Sequence, residues 1–265
     1  MLVFGAGEIS PALFFSVHLF FTWRFVTISL YKEVDRISDM QSFWHSFDFS
    51  NLLQILSSVI PALICITLHE LSHGLAAFAL GDDTAKRAGR LTLNPLRHLD
   101  PMGMLMMLMF RFGWAKPVPV NMYRFRDPKK GMALTALAGP VSNVIITLVF
   151  LVLYGALYVP LGRGRVGGYI LEMLEITAYM SLGLAVFNLL PLPPLDGSKV
   201  LFALLPEDSY RVLMRYERYG GILLLALSAT GVLGRPLSSV IRKLFLAFVP
   251  LAQYASDIVV NLFYR

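Results

Sequence analysis

His69-Glu70-Leu71-Ser72-His73 sets two imidazoles four residues apart, with a carboxylate beside the first. On a helix, side chains at i and i+4 leave the same face about one turn apart, which suits two ligands on one zinc ion. A glutamate next to the first ligand reaches the remaining coordination position, where it serves as general base toward water. The surroundings sharpen this reading. Ile60–Leu68 and Gly74–Leu80 are nearly all apolar, so three ionisable groups lie within a stretch suited to a bilayer. Each costs roughly 2.5–3.5 kcal/mol there on insertion scales, and such residues usually mark function. A chance match on a buried helix face would have nothing to offset that cost.

Hydrolytic zinc sites keep three protein ligands and one open position. Ala76 and Ala79 stand where metzincin spacing would require Gly and His, and no glutamate recurs before Glu172. Asp82, Asp83, His98, Asp100 and Asp196 remain as candidates for the third ligand. Asp82 and Asp83 follow Gly81 and read as a solvated helix end. His98 and Asp100 lie in Asn94–Gly103, whose Asn-Pro and Asp-Pro pairs suit a shaped loop better than catalysis. Asp196 belongs to Asn188–Gly197, where Pro191, Pro193 and Pro194 unwind the chain just after an apolar helix. Irregular backbone at membrane depth is tolerated where it lines a polar cavity. Asp196 is the preferred choice on these grounds, with the others left open.

The elements that must position these residues are membrane helices. Of 265 residues, 56% are hydrophobic and 15% charged, with mean hydropathy +0.64; soluble domains carry about 25% charge. Apolar runs predict an all-α polytopic membrane protein of about six spans. These lie near 10–31, 52–80, 102–112, 132–159 and 169–190, with 220–233 and 237–263 forming one broken span or two. The run 102–112 is too short to cross alone. Trp114–Asn121 alternates apolar residues with prolines, which predicts a short extended or β segment near 113–121. Residues 1–50 form a first membrane segment and loop, 51–200 a catalytic membrane core, and 201–265 the C-terminal helices. Met1–Ile9 has no basic n-region and no cleavage site follows, so the first segment is expected to be retained. The net charge of +6 sits in loops between apolar runs, as for anionic lipid surfaces, and argues against nucleic acid as a partner. Basic residues flank 102–112 on both sides and leave the orientation open. A single cysteine, Cys65, excludes an internal disulfide.

Four motifs in order resemble the site-2 protease family of intramembrane zinc metalloproteases: His69–His73, Asn94–Gly103, Gly139–Asn143 (Gly-Pro-x-x-Asn) and Asn188–Gly197. The similarity extends from about Pro61 to Gly197. The resemblance is to the compact microbial branch, which has neither a PDZ nor a CBS domain. It implies one Zn2+ per chain held by His69, His73 and Asp196. It implies Glu70 as catalytic base and Asn188 in the active site, with its amide on the substrate carbonyl. It also implies regulated proteolysis of a membrane-anchored protein substrate, in a bacterial or archaeal plasma membrane. A helical substrate must unwind to be cut, and the segment Lys116–Asn121 is a candidate edge for pairing with it. Oligomeric state is not specified.

Other residues have plainer readings. Asn143 is expected to hydrogen-bond between helices at a close contact, Cys65 to fill core space, and the methionines of 102–109 to pack. His18 and Arg24 snorkel or face the bundle. Two rival functions predict different patterns. An ion transporter would spread carboxylates over several helices, whereas acidic residues inside these spans are scarce. An inactive scaffold would have lost Glu70 or a ligand, and each position is filled.

Overall fold

The computed structural model describes residues 49–102, 115–162, 164–206, 219–224, 226–227, 230 and 232–263. The expected span at 10–31, with His18 and Arg24, and all but the first residue of the run 102–112 lie outside them. Among the described residues the secondary structure is helical, with no strand. Helix α1 is Phe49–Ala79, α2 Thr84–Arg87, α3 Pro128–Leu161, α4 Arg165–Asn188, α5 Asp196–Ala203 and α6 Gly234–Phe263. Four helices are long and apolar enough to cross a membrane: Val59–Ala79 within α1, then α3, α4 and Pro236–Phe263 within α6. Each matches a run expected from sequence, and the protein is a multi-pass membrane protein.

The helix ends follow from local sequence. Asp127-Pro128 starts α3: proline takes the first helical position, where no backbone N–H is needed. Asp127 Oδ1 accepts from the Lys130 N–H at 3.1 Å, covering an otherwise orphaned donor. α1 stops at Gly81, whose φ of +105° is costly for any residue bearing a Cβ. The Gly81 N–H reaches the Phe78 carbonyl at 3.1 Å and the Asp82 N–H reaches Ala77 at 2.9 Å. These two bonds satisfy the last carbonyls of α1 in a Schellman arrangement and aim the following residues sideways.

The chain divides into two compact units. One contains Ala62–Ile146 and Leu184–Leu224, and with them every sequence motif. In the other, the Thr147 hydroxyl on α3 donates to the Ala178 carbonyl on α4 at 3.1 Å. There Tyr179 of α4 also meets Phe245 of α6 edge to face, with centroids 4.9 Å apart.

Near the expected extended segment the chain is not helical from 115 to 121. Leu99 and Ala115 form one isolated antiparallel bridge, and 116–121 run on without a ladder. Pro117 and Pro119 have no N–H to give to one.

Candidate metal centre

α1 carries His69 and His73 on one face, as the four-residue spacing requires. Both are buried, and their Nε2 atoms stand 3.0 Å apart. The prolines after α4 turn the chain through Leu189–Leu195, and α5 begins at Asp196. Its Oδ2 lies 3.2 Å from His69 Nε2 and 3.1 Å from His73 Nε2. That oxygen is sealed from solvent, with no donor aligned to it. The three ligand atoms fall within 4.8 Å of one another. Tetrahedral zinc with ligands ~2.0–2.1 Å away separates neighbouring donors by roughly 3.3 Å, so the donor set fits that ion. Three buried ligand atoms that converge this closely, one of them a carboxylate oxygen, suit a cation.

α3 supplies the next layer. His73 Nδ1 is 2.7 Å from the Thr135 carbonyl, and His69 Nδ1 is 3.3 Å from the Asn143 amide. Between them, a Cβ built on Gly139 would stand 2.4 Å from His73 Nε2 and 2.6 Å from His69 Cε1. No side chain fits there.

Glu70 is held from the loop side. Its Oε2 accepts from the Val118 N–H at 2.9 Å. Flanked by prolines, Val118 has the only backbone N–H between Lys116 and Val120, and it is spent on this carboxylate. The Lys116 N–H reaches the His98 carbonyl at 2.9 Å, the Lys116 carbonyl takes Arg90 Nη2 at 2.6 Å, and the Asn121 N–H reaches Asp82 Oδ2 at 2.6 Å. Residues 116–119 and 121 therefore have no amide hydrogen left for a substrate strand. Through Val118 the segment holds Glu70.

The other third-ligand candidates do different work. Asp82 is fully buried, which corrects the expectation of a solvated helix end. Besides Asn121, its carboxylate takes the Thr84 N–H at 3.0 Å and the Thr84 hydroxyl. Burial opposes its ionisation, yet these bonds and Arg124 keep the carboxyl below its ordinary range. Asp83 pairs with Arg87 at 2.6 Å and with Arg124. His98, also buried, places Nε2 2.9 Å from the Thr92 carbonyl and shapes the loop. The Asn188 amide nitrogen donates to Leu184, one turn back on α4, at 3.0 Å. Sequence reasoning missed Val118, Thr135 and Gly139 as parts of the site. The Gly-Pro-x-x-Asn motif and the Pro-Val-Pro run were the available signals.

YwhC of Bacillus subtilis (strain 168) is 42% identical over 175 residues, covering 65% of this chain and 80% of YwhC. The chain belongs to peptidase family M50, the site-2 proteases. The M50 family profile matches residues 162–228, which include Asn188 and Asp196. Rip2 of Mycolicibacterium smegmatis is 30% identical over 178 residues, 65% of this chain and 66% of Rip2. MJ0611 of Methanocaldococcus jannaschii is 30% identical over 162 residues, 60% of this chain and 76% of MJ0611. All three have zinc metalloprotease in their names. The M50 chain spans just under two thirds of Rip2's length. No solved structure matches it. It is a zinc metalloprotease.

Proposed function

We propose that this M50 chain is an intramembrane endopeptidase, cutting a membrane-anchored protein within the bilayer of a bacterial or archaeal cell. One observation carries the reading: His69 is the midpoint of the 21-residue span Val59–Ala79, about 15 Å from either end at a rise of ~1.5 Å per residue. His69, His73 and Asp196 would hold the zinc. Zinc supplies Lewis acidity, activating water and polarising the scissile carbonyl. Glu70, adjacent to His69, takes the proton from the attacking water and returns it to the leaving amine. The Val118 N–H keeps its carboxylate from swinging away. The Asn188 amide has two hydrogens; one reaches Leu184, and the second serves the carbonyl oxygen as it gains charge. Burial of the histidines keeps bulk water out, which strengthens each of these interactions.

Replacing Glu70 with Gln tests the assignment. The variant is expected to bind about one zinc per chain and to lose cleavage of membrane-anchored proteins, which then accumulate and can be identified by comparing membrane proteomes. Cleavage that persists in Glu70→Gln overturns the assigned role. Cleavage restricted to soluble peptides, with membrane-anchored proteins untouched, overturns the intramembrane reading.

A further inference from the structure

Resting on that zinc centre, we propose that one stripe of α3, Thr135–Gly139–Asn143, is a template that fixes the tautomer and orientation of both zinc-binding imidazoles, with Asn143 acting as a positioning residue through its side-chain oxygen. The three residues recur every fourth position and so share one helix face. Each imidazole turns Nε2 toward Asp196. A neutral imidazole whose Nε2 lone pair is given to a metal has its single proton on Nδ1, and that N–H must donate.

His73 has its acceptor, since the Thr135 carbonyl is 2.7 Å from Nδ1. His69 Nδ1 faces the Asn143 amide nitrogen, Nδ2, at 3.3 Å. An amide accepts only through oxygen, and its two ends exchange by a half-turn of the last torsion. The chemistry of a zinc-bound His69 therefore assigns Oδ1 of Asn143 to this contact. Asn143 is fully buried.

Gly139 completes the stripe. With a Cβ at that position falling 2.4 Å from His73 Nε2 and 2.5 Å from its Cε1, any other residue would push α3 off the imidazoles or turn the rings. The Ser142 hydroxyl donates to the Gly139 carbonyl at 2.7 Å, tying this turn of α3 to itself beside the rings. A backbone carbonyl, a missing side chain and an amide oxygen thus act as one surface. It sets ring orientation before metal arrives, and histidine ligands with such partners lose about 10- to 100-fold in metal affinity when the partner is removed.

The test is zinc affinity of the full chain in bilayer nanodiscs, read by chelator competition, with the ligand-field absorption of the Co2+-loaded protein as a second readout. Asn143→Leu keeps the volume and removes the acceptor; zinc binding is expected to weaken about 10- to 100-fold and the cobalt bands to shift. Asn143→Asp restores an acceptor oxygen and is expected to bind within a few-fold of wild type. A packing role alone predicts the reverse order, because leucine suits an apolar bundle and a buried carboxylate does not. Gly139→Ala favours helix yet is expected to lose zinc, which keeps the test decisive if Asn143→Asp does not fold. Wild-type affinity in Asn143→Leu or in Gly139→Ala overturns the template alone. A wild-type chain that takes up no zinc overturns the centre and the template together.

Discussion

Asp196 is the residue on which the proposed metal centre turns. It closes a site that the two histidines leave with one side open, and it lies 123 positions after His73 (196 − 73). Its carboxylate touches both Nε2 atoms, so Asp196→Ala is expected to drop bound zinc from about one per chain to near zero while α1 stays intact. Metal that binds only the folded chain stabilises it by about 2.7 kcal/mol at a hundredfold excess over Kd. Chelator should therefore lower the unfolding temperature of the wild type and leave Asp196→Ala unmoved. An equal chelator effect on both would take Asp196 out of the ligand set. The pairing of His69 with His73 was legible because a four-residue spacing puts both side chains on one face about a turn apart. Asp196 could be chosen because three prolines beside a carboxylate have little place in lipid. The Asn143 contact to His69 was not legible as such, since it depends on how two helices meet, and spacing along either one does not encode that. Val118 acts through its backbone, and its side chain gives no sign of it.

At the scale of elements, the segment from Lys116 to Asn121 is tied at both ends, and its middle serves Glu70. Val118→Pro would remove the one N–H that the two prolines leave, whereas Val118→Ala would keep it. A hydrogen bond to a charged group contributes about 1.5–3 kcal/mol, so Val118→Pro should lower kcat about 10- to 100-fold with zinc content unchanged, and Val118→Ala should not. Equal activity in the two variants would leave the N–H without a catalytic role. Asp82 anchors the far end. Its pKa is depressed in the folded chain, so its contribution is complete above the unfolded value of about 3.9 and is lost as pH falls through the lower folded value. Asp82→Asn should cost about 1–3 kcal/mol at pH 7, and the gap from wild type should close below about pH 4. Thermal unfolding across that range checks the sign, and a gap constant from pH 7 to pH 3 would remove Asp82 as an ionised anchor. The sequence misread Asp82 because a carboxylate after Gly81 resembles any solvated helix end. Asn121 returns to that corner from 39 positions on, and nothing near Asp82 in the chain announces the return.

Across the whole molecule, α3 shows the contrast that a bilayer imposes. Asn143 is 0% exposed while Ile145, two residues on, is 56% exposed. The polar side of the helix is turned inward and the apolar side outward, the inverse of a soluble amphipathic helix. Leu134, Val141, Val149 and Val152 are exposed on the same helix. This was the most legible feature of the sequence, since long apolar runs need no tertiary contact to declare themselves, and each of the four spans coincides with one. Ile145 lies 17 residues from Pro128 and 16 from Leu161, at the middle of α3. In a bilayer, Ile145→Arg at that depth should cost roughly 2.5–3.5 kcal/mol, lowering the membrane-integrated fraction and the stability in nanodiscs. Val166→Arg, beside Arg165 at the start of α4 and 73% exposed, should cost far less, because the penalty fades toward the interface and a long cationic side chain snorkels there. If water covered both positions, each substitution would stay within about 0.5 kcal/mol. Depth dependence is therefore the quantity to measure, and equal small effects at 145 and 166 would remove the bilayer from around α3.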